Sequence, residues 1–289
     1  MRSLLFVPGD SEKKLAKAPG CCADVLILDL EDAVAPAAKA KARGIVAEYL
    51  KSQKERKSRM YVRVNALTTG LTDADLDAVV PGRPDGVMLP KCGGGKDAIA
   101  LGAKLAAREA LNGLPDGSIK TIPIATETAA SIFGMGSYPG ASARMEALTW
   151  GAEDLSAEAV AETHRLPDGS YTQPYQLARS LTLFAAVASN VTPIDTVFTN
   201  FRDEAGLRKE SLIARRDGFL GKMLIHPDQV APVNEIFTPT KETIARAQAI
   251  LKAFESGGGV ASLDGEMLDV LHLRYAERVI ARAKAAKLL

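Results

Sequence analysis

Short runs of β-forming residues, separated by alanine-rich helical stretches, recur eight times between the N-terminus and His226. The runs are Leu4–Val7, Val25–Leu30, Met60–Asn65, Gly86–Pro90, Lys120–Thr126, Met145–Trp150, Pro193–Phe198 and Gly221–His226. Between most of them lie amphipathic segments such as Ala37–Lys51, Asp97–Leu111, Gln173–Ser189 and Arg202–Arg216. Eight strand–helix alternations predict a closed parallel (β/α)8 barrel in the α/β class. An open doubly wound sheet is the rival, but no glycine-rich dinucleotide turn follows the first run. A chain of 289 residues holds such a barrel and a tail, since the barrel takes about 250. Two further helical stretches, Lys241–Glu255 and Met267–Lys287, flank a Ser256-Gly257-Gly258-Gly259 hinge. The expected division is a barrel over 1–237 and a helical extension over 238–289 that caps the barrel or reaches a neighbouring subunit.

Bulk properties narrow the partners. Hydrophobic residues at 47% and charged residues at 25% suit a packed soluble protein. A net charge of +1 supplies no basic field for nucleic acid or an anionic membrane. The N-terminal apolar run stops at Pro8-Gly9-Asp10, too short for an export signal, and no stretch approaches the ~20 apolar residues of a membrane span. The cytoplasm is therefore expected. Cys21, Cys22 and Cys92 make neither a disulfide framework nor a zinc pattern, and read as thiols in a reducing compartment.

Barrel enzymes draw their active groups from the C-terminal ends of strands, and here those ends carry charge. In Val25-Leu-Ile-Leu-Asp-Leu-Glu31, alternation puts Leu26, Leu28 and Leu30 on one face and Ile27, Asp29 and Glu31 on the other. Leucines suit the helix-covered outside, so the carboxylates point to the lumen or its mouth. The third run likewise places Tyr61, Arg63 and Asn65 opposite Met60, Val62 and Val64. The fourth ends in Lys91, the fifth in Glu127, the sixth in Glu153-Asp154 and the eighth in His226-Pro227. Any one of these charges could be a structural ion pair. Charges ending five strands on one rim are costly unless paired or ligand-bound, and together they suit a divalent cation and an anionic substrate. Oxygen-only ligands fit Mg²⁺. The three histidines lie too far apart in sequence for a zinc pattern. His226, followed by Pro227 at a preferred first-turn position, reads as a structural helix-start residue, and His164 and His272 as surface residues.

At these residues the chain resembles the citrate lyase β-subunit-like branch of the HpcH/HpaI aldolase family. The matching runs are LLFVPGD (4–10), ADVLILDLEDAV (23–34), YVRVN (61–65), GVMLPK (86–91), IPIATETAASIFG (122–134), LTWGAEDL (148–155) and GKMLIHPDQV (221–230). The resemblance implies a barrel of the phosphoenolpyruvate/pyruvate-binding type in a homo-oligomer, with a trimer suggested. It implies Mg²⁺-dependent cleavage or formation of citryl-, malyl- or citramalyl-CoA, with an acyl-CoA and a small 2-oxo acid as partners. Glu127 and Asp154 then correspond to the Mg²⁺ ligands and Arg63 to the substrate arginine. Amides near Glu153-Asp154 would hold the keto-acid carboxylate, and Asp29 and Glu31 would support metal waters and neighbouring side chains. Lys91 would meet CoA phosphate or a substrate carboxylate, or pair with Glu31. A lid from an adjacent subunit would bring an aspartate that moves the proton at the acyl carbon. Asp269 is the candidate, Asp264 its rival, and a plain helix-capping role for Asp269 the alternative. Three other readings stay open: a hydroxyacyl-CoA thioesterase, a non-autonomous subunit of a larger complex, and aldol chemistry on free pyruvate. The last relies in its own branch on an early histidine, and none precedes His164 here.

Overall fold

The computed structural model describes residues 1–255, 258–286 and 288–289, so Ser256 and Gly257 of the expected hinge and Lys287 of the expected last helix lie outside the described residues. The chain divides into two compact units, Met1–Asn234 and Glu235–Leu289.

In the first unit the strands are β1 (Ser3–Pro8), β2 (Val25–Asp29), β3 (Arg59–Arg63), β4 (Gly86–Leu89), β5 (Lys120–Pro123), β6 (Ala147–Leu148), β7 (Thr192–Asp195) and β8 (Gly221–Leu224). Helices α1 (Glu12–Lys17), α2 (Lys39–Ser52), α3 (Thr72–Val79), α4 (Gly95–Leu111), α5 (Ala129–Gly134), α6 (Ala152–Glu158), α7 (Gln173–Ala188) and α8 (Glu204–Asp217) join them, and α9 (Val230–Phe237) follows β8. All ladders are parallel, in the order β5-β4-β3-β2-β1-β8-β7-β6. Isolated bridges at Thr121–Met145 and Ile124–Thr149 join the two ends of that sheet, so the expected barrel is formed. Each of the eight expected runs overlaps one strand, and several strands stop short of the expected C-terminal end because the chain already turns toward the rim.

Register explains the lumen. Ile27 pairs with Tyr61, and Asp29 with Arg63, so the lumen is apolar below and charged above. Leu4, Val25, Ile27, Tyr61, Met88, Ile122, Ile124, Ala147, Ile194 and Met223 form its buried floor. Tyr61 fills that floor because Gly86 faces it: a Cβ on Gly86 would stand 2.0 Å from the Tyr61 ring. Leu26 and Leu28 are fully buried on the opposite face.

In the second unit α10 (Lys241–Ala253) and α11 (Val270–Ala285) enclose a small core of Ile244, Ala247, Ile250, Leu268, Ala276 and Val279. The helix expected from Met267 begins three residues later. Ahead of it lies an antiparallel hairpin, β9 (Val260–Leu263) with β10 (Glu266–Asp269). Asp264 and Gly265 turn it with φ of +52° and +82°, the left-handed pair that a two-residue hairpin requires. Among the described residues no helix is long and apolar enough to cross a membrane.

Candidate active site at the C-terminal rim

β2 and β3 end in a bidentate ion pair. Arg63 Nε and Nη2 donate to Asp29 at 2.7 and 2.6 Å, and Nη1 reaches Glu31 at 3.0 Å and Asp32 at 3.3 Å. The guanidinium lies 4.6 Å over the Phe6 ring. Asp29 is fully buried and also accepts the amides of Glu31 and Ala33, which fixes the turn leaving β2. Lys39 Nζ pins the same turn through the carbonyls of Leu30 and Glu31 and through Asn65 Oδ1. Asn65 thus serves the support beneath the rim, with its amide group on Leu30 O and Asp75. Burial works against the charge on Arg63, but the Asp29 hydrogen bonds and the surrounding carboxylates outweigh it and raise its pKa.

Lys91 crosses the mouth. Its Nζ bonds Glu31 Oε1 and lies 3.4 Å from Asp154 and 3.7 Å from Asp32. Its main-chain amide donates to Glu127 Oε2. A φ of +50° allows the side chain and the amide of one residue to serve different carboxylates, a costly backbone state for a residue with a Cβ.

Glu127 lies beyond the end of β5, after Ile124, Ala125 and Thr126. Thr128 and Ser131 cap α5 reciprocally, with Thr128, next to Glu127, held extended. Glu127 is 3% exposed, and burial, with Asp154 and Glu31 nearby, pushes its pKa up to about 8 despite the Lys91 amide. Burial likewise pushes Glu31 up to about 7, with Arg63 and Lys91 pulling the other way. Gly151, the N-cap of α6, lies against Glu127: a Cβ there would stand 2.6 Å from Glu127 Cγ. α6 then presents Glu153 and Asp154 in its first turn.

Six expected residues therefore converge: Asp29, Glu31, Arg63, Lys91, Glu127 and Asp154. Two others do not join them through their side chains. Glu153 turns to His164, 3.2 Å away. Asp269 belongs to the second unit, where it caps α11 by accepting the amides of Leu271 and His272 and meets His272 Nδ1 at 2.7 Å. Asp264 turns the hairpin. His226 caps the short turn after β8 and stacks on Phe201 at 4.6 Å. His164, read from the sequence as a surface residue, instead packs on Tyr171 and Tyr175 at 6.0 and 5.6 Å. Sequence reasoning missed Asp32, Lys39, Phe6 and Gly151. Asp32 and Phe6 had a signal, since Asp32 ends the acidic run and Phe6 alternates with Leu4 in β1. Gly151 had none, because only the neighbouring Glu127 makes a Cβ intolerable there.

The donor set fits a hard cation. Once ionised, Glu127 and Asp154 are acceptor-only and of like charge, and both contact one lysine residue. Among the described residues no three His, Cys, Asp or Glu side chains form a metal cage. Two carboxylates completed by water and substrate are the usual protein share of an Mg²⁺ shell.

A second buried charge cluster lies outside the barrel wall. Asp195 accepts from Trp150 Nε1 (2.8 Å), Arg179 (3.1 Å) and Lys222 (3.0 Å), and Lys222 continues to Glu210 at 2.7 Å. Burial would raise Asp195, but Lys222 and Arg179 hold it down at about 2. A cavity of about 560 Å³ adjoins this cluster, lined by residues such as Arg165, Arg179, Phe198 and Lys209. None of the six rim residues lines it, and its arginines already pair with Glu210, Asp195 and Asp217. The rim is the better candidate for chemistry.

Comparison with known proteins identifies the family. The family model described as HpcH/HpaI aldolase/citrate lyase matches residues 2–227. A second, described as a C–C bond lyase of the TIM-barrel fold, matches residues 173–286. The citrate lyase subunit beta of Leuconostoc mesenteroides subsp. cremoris is 35% identical, over 100% of this chain and 95% of its own length. The mitochondrial citramalyl-CoA lyase of Rattus norvegicus is 33% identical, over 99% and 87%. Among solved structures, CitE of Mycobacterium tuberculosis in complex with magnesium, acetoacetate and coenzyme A superposes with a TM-score of 0.78, at 32% identity over 98% of each chain.

Proposed function

The chain belongs to the HpcH/HpaI aldolase/citrate lyase family, and we propose that it is a carbon–carbon lyase that cleaves a hydroxyacyl-CoA into an acyl-CoA and a small 2-oxo acid. The observation that carries this is the convergence of Glu127 and Asp154 on one side of Lys91 with Arg63 on the other. Glu127 and Asp154 hold Mg²⁺, which when bound supplies Lewis acidity toward the 2-oxo oxygen. Arg63, its orientation fixed by Asp29, stabilises negative charge developing on the acyl-CoA portion as the bond breaks. First-turn amides of α6, at Glu153 and Asp154, have no partner within the helix and suit the 2-oxo acid carboxylate. Asp269 of a neighbouring subunit moves the proton at the acyl carbon, and the substrate hydroxyl, on becoming the 2-oxo group, releases the proton that balances it. Asp29 and Glu31 hold Arg63 and Lys91 in place.

A homo-oligomer is supported by the outer side of α7, where Leu177, Phe184 and Val187 are 56%, 66% and 48% exposed, an apolar stripe that suits burial in a subunit contact. The three unpaired cysteines favour a reducing location, the cytoplasm.

The decisive experiment incubates citryl-, citramalyl- and malyl-CoA with the protein and Mg²⁺ and follows 2-oxo acid and free thiol separately. Release of oxaloacetate, pyruvate or glyoxylate without thiol is expected. Thiol release without a 2-oxo acid would make the protein a thioesterase. Glu127→Ala is expected to abolish cleavage with the circular dichroism unchanged, and full activity in that variant would sink the metal assignment. Mixed oligomers of Glu127→Ala and Asp269→Ala chains should regain activity, because one subunit then supplies the metal site and the other the aspartate.

A further inference from the structure

We infer that Lys91 sets how tightly the site holds Mg²⁺, because the lysine and the metal draw on the same carboxylates. The inference rests on Glu127 and Asp154 being the metal ligands. Lys91 Nζ lies 3.4 Å from Asp154 Oδ1, bonds Glu31 and lies 3.7 Å from Asp32, while its amide holds Glu127. One residue therefore touches both proposed metal ligands, one with its charge and the other with its main chain.

The wider charge pattern makes that contact consequential. Asp29, Glu31, Asp32, Glu127 and Asp154 face only Arg63 and Lys91 among the described residues. Arg63 is committed to the β2 side, through Asp29, Glu31 and Asp32. That leaves Lys91 as the cation paired with Asp154, and as the residue whose amide holds Glu127. Asp154 cannot be fully drawn to an ammonium and to a divalent ion at once, and two cations beside the same oxygens repel each other. The lysine side chain is 32% exposed, so it has a path to swing aside when the metal enters. The cost of displacing it is part of the metal's binding free energy. It is a positioning and charge-setting residue for the site.

Removing the charge should deepen the negative potential and tighten Mg²⁺ on the order of tenfold, the scale of one charge a few ångströms away in a half-wet site. Calorimetric titration of the full chain with Mg²⁺, without substrate, tests this on wild type, Lys91→Met, Lys91→Gly and Lys91→Arg. Both charge-removing variants should bind about tenfold tighter, and arginine should stay near the wild-type affinity. Glycine tolerates the +50° φ, so Lys91→Gly keeps the amide on Glu127 and separates lost charge from disturbed backbone. It also gives the answer if the methionine variant fails to fold. Wild type that binds Mg²⁺ while both neutral variants bind equally or more weakly would overturn the role of Lys91. Wild type that takes up no Mg²⁺ would overturn the metal reading, and this inference with it.

Discussion

A Cβ on Gly151 would press on Glu127 Cγ at 2.6 Å. Glu127 has little room to retreat, being almost wholly buried and tied to the Lys91 amide. Gly151→Ala should therefore leave the barrel folded and shift the carboxylate by a few tenths of an ångström or more. Displacements approaching 1 Å at a reacting centre cost on the order of 10²-fold, so cleavage should fall by about that factor at saturating Mg²⁺. Wild-type turnover in a folded Gly151→Ala variant would show that Glu127 is not held where the chemistry needs it. Residue type and strand-end position marked Glu127 and the Glu153-Asp154 pair, since carboxylates there are expensive without a purpose, and the family resemblance singled out Glu127 and Asp154. Residue type could not mark the glycine, because the requirement lives in a neighbour 24 positions earlier in the chain.

Strand alternation sorts charges into two classes that look alike in sequence. Asp29 and Arg63 stand on the same face as Ile27 and Tyr61, so they reach the lumen. Asp195 also ends a strand, but Ile194 takes the lumen face, and Asp195 therefore points outward beneath α7 and α8 to Arg179 and Lys222. This cluster is where the structural reading of a strand-end charge holds. Asp195 titrates lower in the fold than its ordinary 3.8, at about 2. A carboxyl with a depressed folded-state pKa contributes stability above its unfolded pKa and loses it as pH falls through the folded value. Urea midpoints of wild type should fall between pH 4 and pH 2 partly on this account. Asp195→Asn should cost about 3–5 kcal/mol at neutral pH, because Lys222 is left buried without its full partner set, and its midpoint should depend less on pH in that window. Equal acid slopes in the two proteins would remove Asp195 from the acid transition. The β9–β10 hairpin shows the opposite failure. Its signal was present, an Asp-Gly pair between alternating residues, yet Met267 and Leu268 also extend the helical pattern of α11. Short apolar runs do not decide between the two periods, and the turn chemistry does.

At the scale of the whole molecule, the barrel's topology and its charged rim were legible because both depend on alternation repeated over eight strands, where errors at single boundaries cancel. What was not legible is how strongly each neighbouring pair of strands is laddered. β1 and β2 share five register pairs. β6 has two residues, and the residues flanking it join the β5 side through isolated bridges at Thr121–Met145 and Ile124–Thr149. The proposed metal ligands sit on either side of that joint, Glu127 beyond β5 and Asp154 beyond β6. A hoop of staves is weakest at its thinnest lap, and an ion gripped from both sides of the lap acts as a rivet. Mg²⁺ should then slow hydrogen exchange selectively at the amides of Ala125 and Thr149, which bond across the joint at 2.8 and 3.2 Å, while amides of the β1–β2 ladder change little. Uniform slowing, or none, would mean that the ion serves the reaction without fastening the wall that carries it.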